Sequence, residues 1–262
     1  VVGMSIKQKK RLNEIIKLLS HKERMSVREI AEALSVSEMT IRRDLNNLQS
    51  GGIINRTHGG ATLFDIRKTN GESYILGEQI EKNAKLKSAI GLKAASLIEP
   101  NETIFLDSGS TTPFIAKYVD PEIPITVLCY TLKNAFILNN RKNTNLILAG
   151  GYYHKFSNIF HSSEGCELIK KVRADKAFIA AAGIDIKLGL TTVFYFEADI
   201  KRAMVKSAQK VILVADSSKF GKVSTINFAT LDEVHTIITD NGINEDMKSS
   251  IIERGIELII AD

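Results

Sequence analysis

The sequence predicts an α/β protein in two parts. A winged helix-turn-helix occupies residues 4–64, and after a linker at 65–85 a mostly parallel α/β domain fills 86–262. Three observations predict this. The stretch Ser37 to Leu48, SEMTIRRDLNNL, carries an apolar stripe at helical period and follows a capped helix after a very short turn. The basic surplus sits in the first quarter, with 13 Lys and Arg against 7 Asp and Glu up to Lys68, leaving 22 against 23 in the remainder. From Leu86 onward short apolar runs alternate with amphipathic ones, the order of a parallel sheet covered by helices on both faces.

The totals bound the function. The chain has 262 residues, 44% hydrophobic and 25% charged, enough for a small domain plus one of ordinary size. No apolar run approaches a membrane span and the start lacks a signal peptide's apolar region, so a cytoplasmic protein is expected, read from Met4 with Val1–Gly3 taken as a scar. Two cysteines, Cys129 and Cys166, are too few for a disulfide framework or a zinc cluster, and no cofactor or metal is expected. The charge asymmetry suggests a basic module for a polyanion joined to a nearly neutral body.

In order, Ile6 to Leu19 reads as a first helix with Leu12, Ile15, Ile16 and Leu19 as its stripe. Lys7, Lys9, Lys10 and Arg11 crowd its start, where the helix dipole disfavours cations and a nearby phosphate would relieve them. Ser26-Val27-Arg28-Glu29 is a capping-box pattern opening a second helix, buried through Val27, Ile30, Ala31 and Leu34. Ser35-Val36-Ser37 is a tight turn, and either serine can cap the third helix. There Ile41, Leu45 and Leu48 face inward, while Met39, Arg43, Asn46 and Asn47 face outward with Thr40 and Arg42 on the flanks. Arginines neutralise phosphates or fork onto guanine, and asparagines pair with adenine. An ordinary solvated helix also has a charged outer face, and the neighbouring elements decide for DNA. Gly51-Gly52 ends the helix, Ile53 to Asn55 start a strand, Arg56 to Gly60 turn, and Ala61 to Leu63 return. Such a wing, tipped by Arg56 and His58, would touch the DNA backbone or minor groove. The candidate DNA contacts are Ser37, Met39, Thr40, Arg42, Arg43, Asn46, Asn47, Arg56 and His58.

Beyond the linker, helices are expected at Ser88–Ile98, Pro113–Val119, Leu132–Asn139, Cys166–Val172, Phe196–Ala208 and Glu245–Arg254. Strands are expected at Thr103–Leu106, Ile125–Leu128, Leu146–Leu148, Lys176–Ala181, Val211–Ala215, Val234–Thr239 and Glu257–Ile260. Ligands in such sheets bind in loops at the carboxyl ends of the strands. The loop Asp107-Ser108-Gly109-Ser110-Thr111-Thr112 combines small residues, hydroxyls and a helix start, which suits a phosphate, although a plain β-to-α turn favours the same residues. Gly150-Gly151 allows close backbone approach, Asp185 can accept from sugar hydroxyls, and Lys219 can supply charge to a phosphate. Together these loops favour an anionic polyol. Glu197 and Lys201, one turn apart, read as a surface pair.

SVSEMTIRRDLNNL followed by RTHGGA resembles the N-terminal signature of the DeoR family of transcription regulators. LDSGSTT, LAGG, AAGID, EADIKRAM and VADSSKFG resemble that family's sensor domain, so the resemblance covers nearly the whole chain. It implies a sensor similar in fold to ribose-5-phosphate isomerase and an effector that is a phosphorylated sugar. Cys129-Tyr130-Thr131-Leu132, Pro113, and the segment with Gly150-Gly151, His154, Asn158, Ile159 and Phe160 resemble the family's deoxyribonucleoside-operon repressors. That likeness implies deoxyribose 5-phosphate, with Cys129 and Tyr130 near the sugar.

The expected function is therefore a sequence-specific repressor of a sugar or nucleoside catabolic operon, relieved by a sugar phosphate and acting as a homo-oligomer on operator DNA. An activator of the same architecture reads identically. A sugar-phosphate isomerase, with Asp107, Asp185 and Glu197 as acid-base groups, is the rival, but that chemistry needs no basic helix-turn-helix.

Overall fold

The structure is a computed structural model and describes residues 11–12, 14–15, 18–19, 22, 24–50, 54–57, 59–63 and 76–262. The chain divides into two compact units, Val1–Ser73 and Tyr74–Asp262. Among the described residues, no helix is long and apolar enough to cross a membrane.

In the first unit, residues 11–12, 14–15 and 18–19 are helical. The expected basic cluster at Lys7, Lys9 and Lys10, the stripe residue Ile16, His58 and the Gly51-Gly52 stop lie outside the described residues. The capping box is present: Ser26 Oγ accepts from Glu29 N–H, and the Glu29 carboxylate accepts from Ser26 N–H at 2.7 Å, opening the helix Val27–Ala33. Ser35 takes a left-handed φ of 52° in the turn, and Ser37 Oγ accepts from Thr40 N–H at 3.3 Å to cap the helix Glu38–Ser50. Ile15, Leu19, Val27, Ile30, Ile41, Leu45, Leu48 and Ile54 form one small core. Strand β1 (Met25–Ser26) was not expected. It pairs antiparallel with β3 (Gly60–Leu63), which pairs with β2 (Ile54–Thr57). A side chain at Gly60 would stand 2.3 Å from Met25 O, so glycine is what lets this third strand dock. The turn is shorter than expected, and Arg56 lies within β2 opposite Ala61 rather than at the wing's tip.

In the second unit, β4 (Thr103–Leu106), β5 (Ile125–Cys129), β6 (Thr144–Leu148), β9 (Ala174–Ile179), β12 (Ala208–Val214), β14 (Thr236–Thr239) and β15 (Glu257–Ile260) form one sheet. Its order is β15-β14-β12-β9-β4-β5-β6 and every pairing is parallel. The strands are nearly continuous apolar runs because both faces are covered. Phe105, Leu128, Ile179 and Leu213 point into one core layer; Ile104, Val127, Phe178 and Ile212 point into the other. Helices Ala84–Ala95, Thr112–Tyr118 and Leu132–Leu138 contribute to the second layer, and Ser163–Lys171 and Tyr195–Ser207 to the first.

Element types agree with expectation and ends shift by a few residues. Three additions were not read: the hairpin β7 (Tyr152–His154) with β8 (Ile159–His161), the hairpin β10 (Gly183–Asp185) with β11 (Gly189–Thr192), and β13 (Ile226–Ala229) paired to β11. Each strand has only three or four residues, too short for its alternation to show.

Candidate functional site

The sheet's order sets where a ligand can enter. From β4 the chain runs outward through β5 and β6, then returns to place β9 on the other side of β4. The connections leaving β4 and β9 therefore diverge, and a crevice opens beyond their carboxyl ends. A cleft lies there, lined by Ser108, Gly109, Ser110 and Thr111 after β4 and Ala180 to Ala182 after β9. Thr192, Phe194, Glu197, Lys201 and Lys219 also line it, together with the apolar Val193, Val214 and Ala215.

Asp107 holds this region together from below. It is fully buried, and its carboxylate accepts four hydrogen bonds. Oδ1 accepts from Ser108 N–H at 2.8 Å and Tyr130 OH at 2.5 Å; Oδ2 accepts from Ala180 N–H at 2.8 Å and the Lys201 ammonium at 2.5 Å. One side chain thus ties the loop after β4 to the loop after β9 across the crevice. Tyr130 OH also stands 2.7 Å from Ser108 Oγ, and burial with the nearby Asp107 pushes the phenol's pKa well up, so it remains a donor. Asn134 Nδ2 donates to Asp107 O at 3.1 Å and to Thr112 Oγ1 at 3.4 Å.

With Asp107 saturated, the cleft's own surface is donor-rich. Gly109 has a φ of 128°, which turns the loop, and a side chain there would stand 2.8 Å from Ala180 Cβ. Among the described residues, the N–H groups of Gly109, Ser110 and Thr111 make no intramolecular hydrogen bond. Lys219 adds an ammonium whose pKa burial lowers while Asp216 resists. Glu197 is buried, accepts from Thr192 OH at 2.6 Å, and is pushed up by burial against the opposing pull of Lys201. Open amides, hydroxyls and a lysine suit an anion, while Phe194 and Glu197 give the same cleft an apolar and a polar wall.

The expected effector residues separate into three groups. Ser108, Gly109, Ser110, Thr111 and Lys219 line the cleft. Asp107, Thr112 and Tyr130 are buried around it. Cys129, Gly150, Gly151 and Asp185 do not line it. Cys129 packs in the second core layer with Ile115 and Ala135, its thiol pushed up to about 12 by burial. Gly151, at a φ of 145°, seats the start of the β7–β8 hairpin, since a side chain there would stand 2.3 Å from His161 O. Asp185 accepts from Lys187 and Leu188 N–H at 2.9 and 2.8 Å and so holds the β10–β11 turn; those bonds lower its pKa. The surface pair expected at Glu197 and Lys201 is corrected: both are buried, and Lys201 bonds Asp107. They fall in helical phase with the buried Met204, and that phase was the available signal.

In the first unit, Ser37, Met39, Arg42, Arg43 and Asn46 are exposed along the helix Glu38–Ser50, with Thr40 and Asn47 half-buried. Met39 is 80% exposed, an apolar surface the unit does not use for itself. Arg42 pairs with Glu38 at 3.3 Å, and Arg56 reaches Asn46 at 3.5 Å, which brings the second strand to the outer face of the helix. The inner face is anchored by buried Asp44, held by Arg11 at 2.5 and 3.2 Å. The exposed face of this helix carries Arg42, Arg43 and Asn46, with Asn47 half-buried beside them, over a small core; in a helix-turn-helix the second helix is the one that enters the major groove. Among the described residues, no group of three or more His, Cys, Asp or Glu could hold a metal ion.

Comparison with known proteins gives the same two parts. Residues 11–67 match the DeoR-like helix-turn-helix domain and residues 82–241 the DeoR C terminal sensor domain. The HTH-type transcriptional regulator GolR of Listeria innocua is 33% identical over 252 residues, covering 96% of this chain and 98% of its own length. The deoxyribose operon repressor of Escherichia coli K12 is 32% identical over 237 residues, covering 90% and 92%. A solved ribose 5-phosphate isomerase A of Methanocaldococcus jannaschii aligns over 53% of this chain and 55% of its own, with a TM-score of 0.40 and 14% identity.

Proposed function

The chain belongs to the DeoR family of transcription regulators, and on that premise we propose that it represses a sugar or nucleoside catabolic operon and is relieved by a phosphorylated sugar. The observation that carries this reading is the cleft beside β4 and β9, lined both by Gly109, Ser110 and Thr111, whose N–H groups are not taken up within the chain, and by Lys219. A phosphate takes the amides, the Ser110 and Thr111 hydroxyls and the Lys219 ammonium. The sugar lies against Phe194, with Glu197 and Thr192 meeting its hydroxyls. Deoxyribose 5-phosphate is the effector we propose, supported by the likeness to the deoxyribose operon repressor.

Operator contacts come from Ser37, Met39, Thr40, Arg42, Arg43, Asn46 and Asn47, with Arg56 and His58 from the wing. The protein acts in the cytoplasm as a homo-oligomer, since a symmetric operator is met by a symmetric protein. Release requires that the ligand bind the DNA-free arrangement more tightly than the DNA-bound one. The test is an electrophoretic shift on the chain's own promoter with pentose, hexose and deoxyribose phosphates added in turn. A shift that deoxyribose 5-phosphate reverses supports the reading. Binding without sequence selectivity, or a complex indifferent to every sugar phosphate, refutes it.

A further inference from the structure

Lys87 lies in the helix Ala84–Ala95 and is only 1% exposed. Its ammonium donates to the carbonyls of Gln79 and Lys82, the latter at 2.7 Å, and stands 3.8 Å from the Asp216 carboxylate. A buried ammonium is a costly way to fill space, and an aliphatic side chain would pack as well. Here it draws in the end of the helix Leu76–Glu81. Asn83, at a left-handed φ of 57°, donates to Asp216 Oδ1 at 3.1 Å. At the other end of the same segment Leu76 N–H donates to Phe156 O at 3.3 Å, and the Leu76 side chain is buried. Residues 76–83 are thus fastened at both ends, and they are the stretch by which the chain enters the sensor unit from the helix-turn-helix.

Asp216 serves the cleft as well. It precedes the single helical turn Ser217–Lys219, accepts from Ser218 N–H at 3.2 Å, and its own carbonyl accepts from Lys219 N–H at 3.0 Å. Lys219 lines the cleft. The Lys219 and Lys87 charges both attract Asp216. An anion in the cleft would draw the Lys219 charge toward itself and leave Asp216 to Lys87, Asn83 and Ser218.

We propose that Lys87, Asn83 and Asp216 form a latch that couples occupancy of the cleft to the hold on residues 76–83. Lys87 and Asn83 are positioning residues, since neither lines the cleft. The latch rests on the reading of the cleft as a sugar-phosphate site. Occupancy tightens it, and the tightened segment is how the sensor's state reaches the DNA-binding unit.

The test uses the full chain with deoxyribose 5-phosphate as probe and compares wild type, Lys87→Met and Asn83→Gly, glycine being at ease at that φ. Probe affinity is read by calorimetry, operator affinity by fluorescence anisotropy with and without probe, and amide exchange over 76–83 by mass spectrometry. In wild type the probe is expected to weaken operator binding by about 5- to 150-fold, the usual span of allosteric coupling, and to slow exchange over 76–83. In both variants the probe still binds, operator binding changes less than about twofold on adding it, and exchange over 76–83 no longer responds. Variants that release DNA as wild type does overturn the latch and leave the proposed effector standing. A wild type that does not bind the probe overturns the reading of the cleft, and the latch with it. Should Lys87→Met fail to fold, Asn83→Gly carries both outcomes.

Discussion

Replacing Lys201 by Met tests whether Asp107 is the joint of the cleft. Methionine keeps most of the lysine stem's volume, so the change is mainly the loss of the ammonium 2.5 Å from Asp107 Oδ2. Asp107 is fully buried, and the charge would be left with Ser108 N–H, Tyr130 OH and Ala180 N–H. Removing one partner of a buried pair costs about 3–5 kcal/mol, and three surviving hydrogen bonds place this case near the lower end, about 3 kcal/mol. For a domain of this size each kcal/mol lowers Tm by about 2–4 °C, so the sensor unit's transition is expected to fall by about 6–12 °C. Differential scanning calorimetry measures it, with the sensor transition followed by itself because a chain of two units need not melt in one step. Lys170→Met, in an exposed pair with Glu167, is the control and should leave the transition in place. A fall of less than about 2 °C in Lys201→Met would refute the role given to Asp107. Asp107→Asn should be as damaging, because each carboxylate oxygen faces two donors and an amide must turn its NH₂ toward one pair or the other.

Further outcomes follow from other sites. Arg43→Ala is expected to weaken operator binding by about 1–3 kcal/mol if Arg43 reads a base, and to do so evenly across sequences with a shallower salt slope if it meets a phosphate; titrations at several salt concentrations separate the two. His154 stacks on Phe196 at 3.9 Å, and burial lowers its pKa to about 4, so the folded protein stays neutral there while the unfolded chain takes up a proton below about 6.5. Stability must therefore fall as pH drops from about 6.5 to about 4, and His154→Phe, which keeps the stacking, should flatten that limb of a Tm-against-pH curve although the neighbouring His161 shifts the same way. Gly91→Ala gains helix propensity but places a methyl 2.4 Å from Phe114 Cβ and 2.9 Å from its backbone, so a net loss of about 1–3 kcal/mol is expected in urea unfolding.

The regular part of the fold was legible because its periods are strong. Every strand of the seven-stranded sheet and the principal helices could be placed from apolar runs and stripes. The winged unit was legible down to the Ser26–Glu29 capping box, since that device needs particular residues at a particular spacing. The short hairpins were not legible, and neither was Arg56's place within a strand, because these depend on cross-strand pairing that no local window contains. The site shows the same division. The loop after β4 announces itself by composition, whereas its partners across the crevice depend on strand order, which a β-then-α pattern leaves open. Glu197 and Lys201 were misjudged because opposite charges one turn apart on a helix usually face water. Asp185 and Gly151 illustrate the reverse error: residues suited to a ligand that instead close a turn and seat a hairpin.

The arrangement of β4 against β9 has a consequence for protein synthesis. Two strands far apart in the chain must meet before a cleft exists, and Lys219 comes later still. A ribosome finishes the helix-turn-helix long before any of this, and domains fold largely as they emerge. A message cut short, or a frameshift in the last third of the gene, would therefore yield a head with its DNA-reading helix intact and no working receptor. Such fragments would keep the DNA-reading surface and lose the means of release, so a nonsense allele beyond β9 is expected to be uninducible where the head still assembles on its operator and null where it does not.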